Sequence, residues 1–277
     1  MHAIVPAIPA RLTRMAVYTH GHHDSVLRSH NTRNVDNSAA YLAEHLTADT
    51  RLLDIGAGPG TISVDFASRV SHVTATEINA QALALSQKLA AETGATNTSF
   101  SIEDVHSLGC ADDSFDVTHA HQVLQHVGDP VQALREMRRV TKPGGLVAAR
   151  DADYAGFIWF PLLPELDEWL QLYRDAARVN GGEPDAGRRL LAWARAAGFT
   201  DVTATASTWC YATDAERQWW GGMWADRILH SALAAQLLDT GMATREQLQR
   251  ISEAWRAWAD DGDGWFLVPH GEVLCRV

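Results

Sequence analysis

The fold of this 277-residue chain is decided by the stretch Leu52-Leu53-Asp54-Ile55-Gly56-Ala57-Gly58-Pro59-Gly60-Thr61. A short apolar run, typical of a buried strand, leads into three glycines at alternate positions and then into a predicted helix. Glycines allow a backbone to pass close to a ligand, and the free N–H groups at a helix start bind negative charge. Glu77 closes the next apolar run, where a carboxylate can bind ribose hydroxyls. Together these features predict an adenosine-containing cofactor.

Composition excludes several other classes of protein. The formal net charge of −11 argues against nucleic acid or an anionic membrane as a standing partner. No apolar run approaches the roughly 18–20 residues that span a bilayer, and the N-terminus has no secretory signal pattern. The three cysteines are far apart in the chain, which favours neither disulfides nor a metal site. We therefore expect a cytoplasmic globular protein with no metal.

Apolar runs and helical patterns alternate between residues 50 and 150, which is typical of a parallel α/β sheet. We predict strands near 51–55, 72–76, 98–102, 115–120 and 145–151, and helices near 60–69, 80–93 and 130–141. Asn79 can cap the second of these helices, and Asn37 or Ser38 can cap an N-terminal helix over 39–46.

The rest of the chain has a different composition, since all ten tryptophans follow residue 158. We predict a helix near 165–179, a helix over 187–197, a strand over 200–211, two helices within 213–262 separated at Gly241, and a terminal strand over 272–277. Tryptophans at helical spacing, such as Trp220 and Trp224, usually pack a core. We expect a few of these indoles to line an apolar pocket as well.

The glycine turn by itself is weak evidence, because nicotinamide enzymes also use one. Their fingerprint places glycine or alanine where this chain has Thr61. The pattern Asp54-x-Gly56-x-Gly58-x-Gly60 instead resembles the first motif of class I S-adenosylmethionine-dependent methyltransferases. Glu77, 17 residues past Gly60, and Glu103-Asp104-Val105 after the third strand match that family at its spacing. Phe115-Asp116-Val117 and Lys142-Pro143-Gly144-Gly145 do so as well.

The resemblance implies a Rossmann-like, seven-stranded, mostly parallel sheet that binds S-adenosylmethionine and releases S-adenosylhomocysteine. It also implies roles for particular residues. The backbone at Gly56 and Gly58 faces the methionine end of the cofactor, and Glu77 accepts from both ribose hydroxyls. Asp104 accepts from the adenine amine and the Val105 amide donates to the ring. His121, at the exit of the fourth strand, lies near the amino group and the sulfonium.

A narrower resemblance comes from the segment 18–30, from Arg150-Asp151-Ala152-Asp153-Tyr154 and from the tryptophan-rich segments. Together they resemble the UbiE-type small-molecule methyltransferases, and among these the thiol methyltransferases of gliotoxin and dithiolopyrrolone pathways. In this interpretation the N-terminal arm is a lid, with Tyr18 near the sulfonium and Arg28 near the carboxylate. A flexible polar arm is the alternative.

The attacking atom is left open by the sequence. A thiol is partly ionised near neutral pH and needs little help, whereas an alcohol or phenol requires a positioned base. Asp151 and Asp153 follow the fifth strand, where a parallel sheet opens toward its ligand, and both are candidate bases. His22, His23 and Tyr154 are candidate bases as well, and Tyr18 is a further candidate catalytic residue. A salt bridge from either carboxylate to Arg150 or Arg188 is the structural alternative.

We thus predict an arm or lid over 1–46, a cofactor-binding core over 47–151, and lid insertions over 152–186 and 213–262. Residues 187–212 and 263–277 complete the core. The expected activity is S-methylation of a small apolar thiol or dithiol, with O- or C-methylation of a phenolic, polyketide or quinone-like metabolite as the alternative. A protein that binds the cofactor without catalysis is a further alternative. Whether the chain is a monomer or a homodimer is left open.

Overall fold

The computed structural model describes Thr19, His30 and residues 32–277. Its first half alternates strands and helices, as the hydrophobic pattern predicts. The strands are β1 Arg51–Ile55, β2 His72–Glu77, β3 Thr98–Ile102, β4 Phe115–His121 and β5 Thr141–Ala152. The helices are α1 Val35–Ser38, α2 Ala40–Ala43, α3 Thr61–Ala67, α4 Ala80–Thr93 and α5 Pro130–Val140. A 3₁₀ turn at Leu124–His126 lies between β4 and α5.

Side chains that cap the first turn determine where two helices of this half begin. The Asn79 side chain accepts from the amides of Gln81 and Ala82, so its predicted role as a cap is confirmed. The cap predicted at Asn37 or Ser38 is wrong. Asn34 caps α1 instead, in a reciprocal box with Asn37.

The second half contains more regular structure than the sequence indicates. Its elements are β6 Ile158–Phe160, α6 Pro164–Val179, α7 Leu190–Ala196, β7 Asp201–Tyr211, α8 Asp214–His230, α9 Ala232–Asp239, α10 Arg245–Asp260 and β8 Trp265–Arg276, with 3₁₀ turns at Tyr154–Gly156 and Gly187–Arg189. Three helices replace the two predicted within 213–262, because extended backbone at Ser231 also divides α8 from α9. No described helix has both the length and the apolar composition needed to cross a membrane.

The sheet is mixed and mostly parallel in its first five strands. Its order is β3-β2-β1-β4-β5-β8, with β1 to β5 joined in parallel and β8 antiparallel to β5. The last strand β8 starts at Trp265, seven residues earlier than predicted. It pairs with β7 along its length and, past the end of β5, with the short β6. The predicted class of fold is confirmed, with β6 as an eighth strand.

Three apolar clusters hold this architecture together. One face of the sheet packs on α5 and α7 through residues such as Leu53 and Val147. The lower part of the other face packs on α1 and α2 through Leu52 and Val117. The third cluster joins α6, α8, α9 and α10 to β8 and contains most of the tryptophans. Nearer the carboxyl ends of the parallel strands, this second face carries polar side chains, among them His121 and Arg150.

Candidate active site

A cavity of about 320 Å³ opens at the carboxyl ends of β1, β2 and β4. This is the edge where open parallel sheets bind ligands. The glycine half of the cavity is lined from the segments 54–62, 77–85 and 103–106. The aromatic half is lined by Tyr154, Phe157, Trp209, Trp220 and Trp224. His121 and Gln122, at the end of β4, lie at the junction of the two halves.

The glycine turn has the geometry that its sequence predicts. Gly56, Gly58 and Gly60 all have positive φ angles, of 67°, 56° and 87°. A β-carbon on Gly56 would lie 2.5 Å from Val123 Cγ2, so only glycine fits there without a shift. The Glu77 carboxylate accepts from the Gly58 amide at 3.1 Å and from the Ile78 amide at 3.0 Å. The turn and the end of β2 are therefore tied together.

Beneath the turn, Asp54 braces the structure from a buried position. One of its carboxylate oxygens accepts from Ser63 Oγ at 2.5 Å. The other lies 2.8 Å from His119 Nδ1 on the neighbouring strand. These contacts link β1, α3 and β4 directly below the glycines.

The outer end of the glycine half combines apolar surface with a carboxylate, two features that suit an adenosine. Ile78 and Leu85 line the cavity with exposed apolar surface that a flat ring would cover. Asp104 lies beside them. Burial acts to raise the pKa of Asp104, but hydrogen bonds from the amide and ring of His106 outweigh it and lower the pKa. The carboxylate is thus ionised and able to accept, next to the buried Val105.

Polar side chains continue across the sheet from the junction. His121 pairs in register with Arg150 of β5, which pairs with Glu272 of β8, so their side chains share one face. Arg150 Nε donates to Glu272 Oε1 at 3.2 Å and to Ser207 Oγ at 3.0 Å. Burial lowers the pKa of Arg150 to about 10, opposed by Glu272. Arg150 remains charged at neutral pH.

A hydrogen-bonded chain connects the N-terminal segment to the junction. Arg33 Nη2 donates to Gln122 Oε1 at 2.7 Å, so the other side of that amide is the NH₂ group. Gln122 Nε2 lies 2.9 Å from His270 Nε2, and it therefore donates to this ring nitrogen. His270 must carry its proton on Nδ1. Burial, followed by Arg150 and Arg33, lowers the pKa of His270 well below its usual value and keeps the ring neutral.

The aromatic half is built on a tightly packed indole cluster. Trp224 and Trp220 line the cavity on one side and contact the cluster interior on the other. Trp169 lies fully buried behind them, with ring centroids 4.5 Å from Trp224 and 4.9 Å from Trp255. Such edge-to-face contacts fix the position of the cavity wall. Three of the ten tryptophans line the cavity.

The two predicted carboxylate bases do not line this cavity. Asp151 is fully buried, and its Oδ1 accepts from the Gln125 amide at 3.0 Å. Asp153 forms a two-point ion pair with Arg188, at 2.6 and 2.7 Å, which is the structural alternative that the sequence allows. Both therefore contribute to the frame of the site in this structure.

The other predicted site residues divide into two groups. Gly56, Gly58, Glu77, Asp104, Val105 and His121 all line the cavity. Tyr18 and Arg28 lie outside the described residues, as do His22 and His23 of the same arm. Thr61 Oγ1 donates to the backbone of His30, which lines the cavity with Arg33. The prediction that the N-terminal region approaches the site is thus testable only from His30 onward.

Several cavity residues were missed by sequence reasoning. They include Arg33, Trp209, Arg227 and Val268. None belongs to a local motif, and each reaches the cavity through strand pairing or helix packing. Alternation along β7 and β8 is the one signal that could have identified Trp209 and Val268, which are register partners.

Comparison with known proteins agrees with this geometry. Residues 46–213 match the family described as methyltransferase domain. The chain is 33% identical to an uncharacterized methyltransferase of Schizosaccharomyces pombe, over 95% of this chain and 98% of that one. It is 41% identical to the ubiquinone/menaquinone biosynthesis C-methyltransferase UbiE of Bdellovibrio bacteriovorus, over 36% of this chain and 43% of that one.

A solved structure supports the fold over most of the chain. The phosphoethanolamine N-methyltransferase 2 of Haemonchus contortus superposes with a TM-score of 0.53 at 15% identity, over 83% of this chain and 49% of that one. That protein was crystallised with S-adenosylhomocysteine. The glycine turn, the Glu77 carboxylate and the outer end with Ile78, Leu85 and Asp104 fit the same cofactor here. The chain belongs to the methyltransferase-domain family and is a methyltransferase that uses S-adenosylmethionine.

Proposed function

We propose that this enzyme methylates the sulfur of a small, largely apolar thiol or dithiol. One observation carries the proposal. In the described residues, every carboxylate that lines the cavity belongs to the glycine half, and the aromatic half has none. A thiol has a pKa near 8.5 and is partly ionised at neutral pH, so it needs no strong base. An aliphatic alcohol would need one.

The cofactor contacts follow from the placement of the glycine half. The Gly56 and Gly58 backbone would hold the methionine end, Glu77 the ribose hydroxyls, and Asp104 with the Val105 amide the adenine. Their positions around the glycine half support this assignment. His121 is proposed to lie beside the reacting centre. Tyr18 and Arg28 remain predicted contacts from the arm.

When bound, S-adenosylmethionine supplies an electrophilic methyl group, so the chain mainly has to align the acceptor and exclude water. Tyr154, Phe157 and the three cavity tryptophans provide flat apolar walls for this purpose. We propose that the segments 1–46, 152–186 and 213–262 together cover the acceptor, since 30–33, 152–157 and 220–227 all contribute lining residues. Buried walls of this kind favour a ring-bearing acceptor.

A second candidate is O- or C-methylation of a phenolic or quinone-like ring. The aromatic walls favour it, and so does the local similarity to a quinone C-methyltransferase. We also propose the UbiE-type grouping for either candidate, and the closer relation to natural-product thiol methyltransferases for the thiol candidate. For both candidates we propose a cytoplasmic location and a partner set limited to a small-molecule acceptor, without nucleic acid or membrane.

The two candidates differ in the product that they form. Purified protein would be incubated with S-adenosylmethionine and, separately, with an aliphatic dithiol, benzyl mercaptan, a phenol and a naphthoquinol. Mass spectrometry would then detect addition of one methyl group. Methylation of the thiols supports the proposal. Methylation of the phenol or naphthoquinol alone refutes it in favour of the second candidate. Glu77→Ala, which should weaken cofactor binding, serves as the low-activity control.

A further inference from the structure

We propose that His121 is a catalytic residue that accepts the proton of the attacking S–H group. The inference rests on the proposed thiol acceptor and adds what that proposal lacks, a group at the reacting centre that receives the proton. It follows from comparing the titratable side chains that line the cavity and asking which of them still has an open hydrogen-bonding position.

The carboxylates of the cavity are already engaged and belong to the glycine half. Asp54 accepts from Ser63, and Glu77 from two backbone amides. Glu103 accepts from the Gly109 amide, and Asp104 from His106. These groups have structural or cofactor-facing roles, so none of them is available at the junction.

Of the four histidines of the described residues that line the cavity, His30 lies beside Gly58 in the glycine half. The other three separate in the same way as the carboxylates. His106 is held by Asp104, and the Nε2 atom of His126 lies 2.9 Å from Gln125 Nε2. His121 differs from both. In the part of the chain that the structure describes, neither of its ring nitrogens has a hydrogen-bond partner, although the side chain is only 6% exposed. A buried imidazole without partners is costly, and a ligand that supplies one recovers that cost.

The ring of His121 is fixed in place by its neighbours. Its centroid lies 5.8 Å from that of Trp209, whose ring is tilted relative to it. The His270 ring is stacked on it, with the centroids 6.2 Å apart. His270 is in turn fixed by Gln122 and Arg33. A catalytic base needs this kind of orientation before its basicity matters.

The charges around His121 determine which acceptors it can serve. Burial lowers its pKa well below the usual value, and Arg33, Arg150, His270 and His119 lower it further. The ring is therefore neutral at neutral pH, with a lone pair available. It is also a weak base, which suits a thiol much better than an alcohol.

The step balances in atoms and charge. The thiol sulfur forms a bond to the methyl carbon, the sulfonium carbon–sulfur bond breaks with its electron pair returning to a neutral thioether, and the S–H proton passes to a ring nitrogen of His121. One positive charge disappears at the sulfonium as one appears on the imidazolium. Because the total charge of the cavity stays constant, Arg33 and Arg150 oppose the reaction less than they oppose protonation of the resting enzyme.

The test compares two thiols and two matched variants. Benzyl mercaptan is mostly protonated at neutral pH, whereas 4-nitrothiophenol is already ionised because the nitro group delocalises its charge. His121→Gln should lower kcat for benzyl mercaptan by about 100-fold, the usual contribution of a positioned base. It should leave kcat for 4-nitrothiophenol nearly unchanged. His45→Gln, the same substitution at an exposed position outside the cavity, should change neither.

Equal losses on both thiols, or no loss on either, would overturn the role of His121. A readout without turnover uses the wild-type protein, and so does not depend on how the variant folds. With S-adenosylhomocysteine bound, addition of benzyl mercaptan should shift the ¹⁵N resonances of the His121 ring. Unchanged resonances, while calorimetry shows the thiol to bind, would overturn it too.

Failure of the thiol proposal has a different signature. The wild type would then methylate neither thiol. Phenol and 4-nitrophenol replace the pair in that case, and His121→Gln should lower transfer to phenol selectively.

Discussion

The two halves of the cavity are built by different means. The glycine half is drawn from residues 54–106 and is held by backbone conformation and charged hydrogen bonds, such as those of Glu77 with two amides. The aromatic half is drawn from segments as distant as Tyr154 and Val268 and is held by ring packing. A cofactor shared by many enzymes is bound by a local motif, whereas the acceptor site depends on long-range packing.

This comparison implies that the halves can be damaged separately. The first 158 residues contain no tryptophan, and the buried side chains of the two clusters that pack the core are mostly aliphatic. The indole cluster lies on α6, α8 and α10, beyond the parallel strands. Substitutions in the cluster should therefore act on stability and acceptor binding, and substitutions in the turn on cofactor binding.

The largest effect is expected from Trp169→Ala. The indole is fully buried between Trp224 and Trp255, so its removal leaves a cavity that should cost about 3–5 kcal/mol of unfolding free energy. Chemical denaturation measures this. Trp265→Ala, at a tryptophan with 36% of its surface exposed, is the matched control and should cost much less. If folded Trp169→Ala bound S-adenosylhomocysteine many-fold more weakly, the separation of the halves would be disproved.

Glu77→Ala should instead act mainly on cofactor binding. Loss of the carboxylate leaves the Gly58 and Ile78 amides without their acceptor and removes the proposed ribose contact. Cofactor binding should weaken by about 1–3 kcal/mol, or roughly 5- to 150-fold in Kd. Isothermal calorimetry with S-adenosylhomocysteine measures this change. Glu44→Ala, with its side chain 83% exposed, is the control, and equal affinities for the two variants would contradict the assignment.

The effect expected at Asp151, below the junction of the halves, is spread over several pH units, at about 1 kcal/mol for each. Burial raises the pKa of Asp151 to about 8, opposed by amide hydrogen bonds from Gln125 and Leu124. The native state then binds a proton that the unfolded state releases near pH 4, so the contribution of Asp151 to the unfolding free energy should fall as pH rises from about 4 to 8, by on the order of 1 kcal/mol per pH unit. Above pH 8 this contribution stays constant.

Asp151→Asn keeps the shape of the side chain and removes its titration. In denaturation curves collected between pH 5 and 8, the unfolding free energy of the wild type should therefore fall relative to that of the variant as pH rises. Identical slopes would show that the carboxyl group is ionised in the native state. Asp153→Asn provides a contrasting variant, because that carboxylate is paired with Arg188.

The bounds of the strands and helices were predicted well in the first half of the chain and less well in the second. Strands β1 to β4 lie within one residue of their predicted bounds, because each is a short segment of β-forming residues between turn signals. The start of β8 at Trp265 was missed, since alternation there is interrupted by Pro269 and Gly271. The break at Ser231 was missed as well, because no glycine or proline marks it.

The sequence by itself determined the class of fold, the cofactor and the residues around the glycine turn. Those features depend on backbone conformation and on spacing along neighbouring strands, which are local properties. Only the tertiary structure decided that Asp153 pairs with Arg188, that Asp151 is buried, and that His121 faces a polar row formed with Arg150 and Glu272. These contacts join residues that are tens to more than a hundred positions apart. Pairing and packing select such partners, and a single sequence does not contain their distances.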